Sequence, residues 1–423
     1  MSERLAFPTS PERRLSDGLD FYKLTMGQLA LAQHPDTDVT FTLKNRSESR
    51  LNQYVDPESL QARLDEIRDQ GFTNEEIEYY RSLQATDGTP RFGNEYLDYL
   101  ADINLPEVAI TTNETTGDFD IQTNGPWPAV SLWETVVMSE LNQLYFEGKI
   151  KAEGLSLEAI YDEGDRRLTD KIEKLKERPD IKFSDFGTRR RFGNDWHNYV
   201  VGRLAAELPD NFVGTSNPWL AHAHDLTPIG TYAHEMPMVY AALQDKRTGD
   251  PMAGHSKMMR DWEQQYQGDL SIALTDTFTT EFFFEDFGEH GAKTWSGLRH
   301  DSGDPYEFGE RAIAFYEQHG VDPIDKTLVF SDGLDIDTII SLTDYFENRV
   351  KLMFGWGTTL TNDLGLKANN FVMKATEADG VSTVKLSDVQ GKHTGPDEQV
   401  ARYVREKDAR LAVDAVYATM VPA

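Results

Sequence analysis

The chain has 423 residues, enough to bury a large core and to form more than one domain. Its 72 Asp and Glu against 42 Lys and Arg give a formal charge of −30, which argues against nonspecific binding to nucleic acid or to an anionic membrane over the surface as a whole. The absence of cysteine excludes disulfides, cysteine nucleophiles and thiolate metal sites. The acids are spread along the chain, which predicts a halophilic, salt-adapted surface instead of a disordered acidic tail. No signal-peptide core opens the sequence and no apolar run reaches about 18 residues, so a cytoplasmic protein is expected.

Residues 1–130 are predicted to form a smaller α+β domain, with a helix after Leu19 and short alternating strands such as 38–43 and 107–112. Past the break at Pro126–Pro128, Trp133, Val136, Val137, Leu141 and Leu144 recur at helical spacing; Leu168, Ile172 and Leu175 mark another amphipathic helix. From about residue 180 short apolar runs recur, each ending in a polar motif: 181–183, 211–213, 228–229, 271–274, 295–298, 328–330 and 351–354. Helical stretches such as 309–319 and 336–346 lie between them. This rhythm predicts an irregular parallel α/β barrel over 131–368, with an open doubly wound sheet as the alternative. Either sheet would gather the motifs at the carboxyl ends of its strands. In the segment 369–423, FVMKATEADGVSTVKLS reads as a hairpin turning at Asp379–Gly380, expected to pack back on the amino-terminal domain.

The motifs at the strand ends carry the chemistry. SDGLD around Gly333 and GWGTT around Gly357 and Thr358 read as turns whose backbone N–H groups converge on a phosphate. Asp276 and Asp301 suit ribose hydroxyls or magnesium, while Asp304, ahead of Pro305, serves equally as a helix cap. Arg189, Arg190 and Arg191 follow Asp185–Phe186–Gly187; guanidinium forks suit phosphate and carboxylate, and Arg299 has the same setting. Phe186 is either core or a stacking face. His222 and His224, two apart, do not share a helical face and make a poor metal pair. His234, between Gly230–Thr231–Tyr232–Ala233 and Glu235, is the candidate catalytic histidine.

Taken in order, Asp20–Met26, Ser184–Arg190, Val213–Asn217, Thr227–Glu235, Gly297–Pro305, Leu328–Asp335 and Phe354–Leu364 resemble the nicotinate phosphoribosyltransferase family, as do Lys385–Ser387 and Gly391–Lys392. The resemblance runs nearly end to end. It implies transfer of phosphoribosyl from phosphoribosyl pyrophosphate to nicotinate, the first step of NAD salvage from nicotinate. ATP hydrolysis would be coupled through a phosphohistidine, with Mg2+ required. It also implies an irregular barrel beside a smaller domain built from both chain ends, assembled at least as a homodimer with shared active sites.

Carried over by position, His234 matches the phosphorylated histidine, and Phe186 and Tyr22 the aromatics that sandwich the pyridine, with Tyr22 donated by the neighbouring subunit. Arg189 and Arg299 match contacts to anionic groups, Asp276 and Asp301 carboxylates near ribose and magnesium, and Gly333, Gly357 and Thr358 the 5′-phosphate cradle. Lys23, Lys44 and Arg46 match basic residues that approach phosphates across the dimer interface. Ser216 stands where nicotinamide enzymes carry aspartate; a hydroxyl can donate to a carboxylate that an aspartate would repel, which favours nicotinate. Trp356 departs from the small aliphatic residue usual between the two glycines and is expected to alter the pocket wall. Against these stand a sugar hydrolase using Asp301 and Asp304, a non-catalytic relative, and a nicotinamide or quinolinate phosphoribosyltransferase.

Overall fold

The computed structural model describes residues 13–48, 50–389 and 391–420. Three antiparallel strands come first: β1 (Asp38–Asn45), β2 (Val108–Thr112) and β3 (Phe119–Pro126). In β1, Val39, Phe41 and Leu43 alternate inward, and in β3 Phe119, Ile121 and Thr123 do the same. One face of each strand is therefore apolar, as a half-buried sheet requires. Seven parallel strands follow: β4 (Phe183–Asp185), β5 (Phe212–Thr215), β6 (Thr227–Pro228), β7 (Ile272–Leu274), β8 (Gly297–His300), β9 (Thr327–Phe330) and β10 (Lys351–Trp356). The chain then returns with β11 (Phe371–Ala378) and β12 (Val381–Ser382).

The parallel sheet runs β6-β5-β4-β10-β9-β8-β7 and forms the expected irregular barrel. Its strands lie within a residue or two of the apolar runs read from the sequence. Closure is incomplete because β6 is two residues long and one of them is Pro228, which has no N–H to give. Side chains join the gap instead: Thr231 Oγ1 donates to the Ile272 carbonyl at 3.1 Å, and Leu274 N donates to the Tyr232 hydroxyl at 3.1 Å.

The second sheet, β12-β11-β1-β3-β2, unites the two ends of the chain, with β1 between β3 and β11. The turn between β11 and β12 falls at Asp379 and Gly380, whose φ angles of 49° and 83° are the left-handed pair that a two-residue hairpin needs. Two helices tie this sheet to the barrel. Phe21–Gln33 starts at Asp20, whose carboxylate does not cap it, and Trp133–Glu153 is buried through its first half. The reading of the sequence missed β3, the helices Pro57–Gln70, Asn74–Ser82 and Asn94–Ala101, and the closing helix Asp397–Met420. No helix among the described residues is long and apolar enough to cross a membrane.

Candidate active site

The site is built on turns at the carboxyl ends of the barrel strands. After β4, the buried Asp185 carboxylate accepts from Gly187 N at 2.8 Å and Thr215 Oγ1 at 2.6 Å, and pairs with His197 Nε2 at 2.6 Å. These bonds hold the turn that carries Phe186. The Phe186 N–H donates to the Trp356 carbonyl at 2.8 Å, and its ring lies where a Cβ on residue 355 would be, so Gly355 is needed for the approach. The three arginines then part company. Arg189 and Arg190 face a cleft of about 310 Å3, whereas Arg191 is fully buried and donates to the Asp17 carbonyl.

That cleft brings together Tyr22, Phe186, Arg189, Ser216, His234, Arg299, Asp301, Gly333, Gly357 and Thr358, ten of the expected residues. Tyr22 reaches it from the same chain, so the expected donation of this ring by a neighbouring subunit is corrected. Its partner in the wall is Asp20. The Ser216 hydroxyl donates to Asp20 Oδ1 at 2.6 Å, and Arg189 Nε lies 3.3 Å from Asp20 Oδ2. A serine has one proton to give, and in this structure it goes to Asp20. Burial raises the Asp20 carboxyl, with Arg189 and Ser216 opposing. Trp356 is also corrected: it is absent from the cleft wall and wholly buried behind it.

His234 sits where the cleft meets a second cavity of about 390 Å3, which gathers Arg46, Arg189, Arg190, Lys374, Lys385 and Lys392. Its Nδ1 lies 2.9 Å from Thr277 Oγ1, and its Nε2 lies 3.0 Å from Asp301 Oδ2 and 2.9 Å from Lys385 Nζ. Burial and the Lys385 ammonium lower the imidazole below its ordinary value, overriding Asp276 and Asp301. Burial alone would raise Asp301, but the His234 hydrogen bond and the Arg299 guanidinium outweigh it and hold the carboxyl low. Asp276 is held low in the same way, with His234 and Lys385 outweighing burial.

One Asp276 oxygen accepts from Ser302 Oγ at 2.6 Å and Lys385 Nζ at 2.8 Å; the other is buried with no hydrogen-bond partner. Ligand atoms of His234, Asp276 and Asp301 lie within 4.8 Å of one another. Carboxylate oxygens suit a hard cation such as magnesium, and an imidazole nitrogen does not, so the two aspartates are the fitting donors.

Three expected residues line neither cavity: Asp276, which is buried, Lys23 and Lys44. Lys23 is fully buried, with Nζ 2.5 Å from Glu134 Oε2 and bonded also to Glu235. Lys44 is exposed on β1. Asp304 caps the helix Pro305–Gln318 through Tyr306 N and Glu307 N, which removes it as half of a hydrolase carboxylate pair. Asp335 caps the helix Ile336–Tyr345. His222 lies against Tyr79 and His224 bonds Asn198, so neither makes a metal pair. Sequence reasoning missed Asp20, Thr277 and Lys374. Lys374 had a signal in the alternation of β11, where Phe371, Met373 and Ala375 take the buried face and leave it on the other.

The family models for the nicotinate phosphoribosyltransferase (NAPRTase) family match residues 181–409, and those for its N-terminal domain match residues 19–142. The chain belongs to the nicotinate phosphoribosyltransferase family. Among solved structures, the nicotinate phosphoribosyltransferase of Porphyromonas gingivalis is 32% identical with a TM-score of 0.83, over 94% of this chain and 100% of that one. The Vibrio cholerae nicotinate phosphoribosyltransferase is 30% identical with a TM-score of 0.82, over 97% of this chain and 99% of that one. The site draws on both matched regions: the N-terminal domain supplies Tyr22, and the second region supplies Phe186, His234 and Asp301.

Proposed function

We propose that the chain transfers the phosphoribosyl group of phosphoribosyl pyrophosphate to nicotinate, giving nicotinate mononucleotide and pyrophosphate, and couples this to ATP hydrolysis through phosphorylation of His234. The observation that carries the reading is a largely buried imidazole on the wall between a ring-lined cleft and a cavity where cations outnumber acids. Phe186 and Tyr22 hold the flat pyridine with its nitrogen towards C1 of the ribose, replacing a random encounter by a fixed approach. The nitrogen's lone pair forms the new bond to C1 as the C1–O bond breaks, and that bond's electron pair leaves with pyrophosphate. Arg299 and Lys385 offset the charge that gathers there. The turns at Gly333, Gly357 and Thr358 hold the 5′-phosphate.

Asp276 and Asp301 would hold magnesium, which supplies positive charge against the polyphosphate when bound. In its neutral form His234 has a lone pair with which to accept a phosphoryl group from ATP, and the phosphate so placed adds about −1.5 to −2 of charge beside Lys385. Arg46 stands in the basic cavity as a phosphate contact, whereas Lys23 serves as the buried partner of Glu134 and Glu235. Assembly as at least a homodimer belongs to this reading, with exposed Lys44 as the cation a neighbouring chain would meet.

Selectivity for a carboxylate rests here on Arg189 and not on the Ser216 hydroxyl. Asp20 favours a second reading, nicotinamide, because an ionised carboxylate there would accept from a carboxamide. The coupling is tested with His234→Ala. That variant is expected to lose the ATP-dependent gain and keep slow ATP-independent turnover; full ATP coupling without His234 contradicts the assignment.

A further inference from the structure

The two glycine turns follow β9 and β10, which are neighbours in the sheet, and both line the cleft. A bond relay joins them from behind. The Trp356 indole Nε1–H donates to Thr359 Oγ1 at 2.7 Å, and the same hydroxyl donates to the Leu334 carbonyl. Thr359 belongs to the turn of Gly357, and Leu334 to the turn of Gly333. A hydroxyl that accepts one bond and gives another is directional: the indole fills its lone pair and leaves its proton for Leu334.

The indole itself is held on several sides. It is fully buried, meets the Phe183 ring edge-on with centroids 5.7 Å apart, and has the Lys171 ammonium 5.8 Å from its centre. Lys171 also donates to the Thr359 carbonyl at 2.6 Å and to Asp363 at 2.7 Å, so Thr359 is braced at side chain and backbone. A buried indole N–H needs a partner, and Thr359 supplies it.

We propose that Trp356 is a positioning residue for phosphate binding: through Thr359 it fixes the spacing of the two turns, so that their backbone donors are preorganised for one phosphate. This rests on the reading of those turns as the 5′-phosphate cradle. A cradle already held in shape has less ordering to do on binding. The consequence is selective, because Trp356 touches neither cavity and should matter to the phosphorylated substrate and not to the pyridine.

The test is calorimetric binding of phosphoribosyl pyrophosphate with magnesium, no pyridine present, alongside the Michaelis constant for nicotinate. Trp356→Phe keeps the ring and removes the N–H. It is expected to weaken phosphoribosyl pyrophosphate binding about three- to tenfold, the size of one net hydrogen bond, with the nicotinate constant unmoved. Trp356→Tyr, which also lacks the indole N–H, serves if Trp356→Phe fails to fold; Thr359→Val breaks the same relay from a residue that lines the cleft itself. The double variant should bind no more weakly than the worse single one. Unchanged affinity in a folded variant, or losses that simply add, would overturn the proposal. Wild-type product formation, measured in parallel, separates the two layers: its absence refutes the functional reading, while its presence with an unaffected Trp356→Phe refutes only the relay.

Discussion

The cleft and the basic cavity share Arg189, Arg190, His234, Asp301 and Asp332, yet they differ in charge balance. In the cleft, charges are answered by protein: Asp20 by Ser216 and Arg189, and Arg189 by Asp20 and, at 3.7 Å, Glu134. In the cavity, Arg46, Arg189, Arg190, Lys374, Lys385 and Lys392 outnumber Glu134, Glu235, Asp301 and Asp332, and burial together with Lys385 and Arg46 brings Lys374 down to about 8. A balanced wall orients a ligand; an unbalanced one waits for an anion to complete it. That six cations gather in a chain of net charge −30 makes the second surface the more telling.

The largest effect should come from Lys23, which lies behind both surfaces. Lys23→Met would leave Glu134 and Glu235 buried without their shared cation, and denaturant unfolding should show a loss of about 3–5 kcal/mol. A loss below about 1 kcal/mol would mean that the clasp is dispensable.

Phe186→Ala separates the two regions. Removing one face of the ring site should raise the nicotinate Michaelis constant about tenfold, in line with ~0.5–1.5 kcal/mol for an aromatic pair, and leave that for phosphoribosyl pyrophosphate in place. Equal changes in both constants would mean that the cleft does not discriminate between them.

The smallest effect concerns pH. Lys374 is charged below about 8 and loses its proton above it, so an anion in the cavity should bind less well as pH rises through 8. The sign for stability is the reverse: a depressed lysine value makes the charged form costly in the fold, a penalty present below about 8 and relieved as pH rises. Lys374→Met should bind phosphoribosyl pyrophosphate a few-fold more weakly and with a flatter profile between pH 7 and 9. An identical profile in both proteins would remove Lys374 from the binding surface.

The barrel was legible because each strand is a short apolar run that stops at a polar motif, so strand and site are written side by side. The terminal sheet was harder. The pairing of β1 with β11, such as Lys44 opposite Val372, joins residues far apart in the chain, and β3 alternates Asp120, Gln122 and Asn124 with its apolar positions. The site divides the same way. His234, Asp301 and Phe186 announce themselves through local motifs, whereas Asp20 and Lys374 become site residues only through what they meet in space. Lys23 and Arg46 look alike in sequence, and burial alone tells a structural clasp from a side chain that lines the second cavity.

The most direct measurement is product formation from phosphoribosyl pyrophosphate and magnesium in molar KCl, with nicotinate, nicotinamide and quinolinate compared, each with and without ATP. Nicotinate mononucleotide appearing chiefly when ATP is present is the predicted result. Turnover of nicotinamide in its place would assign the pyridine end to Asp20 instead of Arg189, and silence with all three, from folded protein, would contradict catalysis itself.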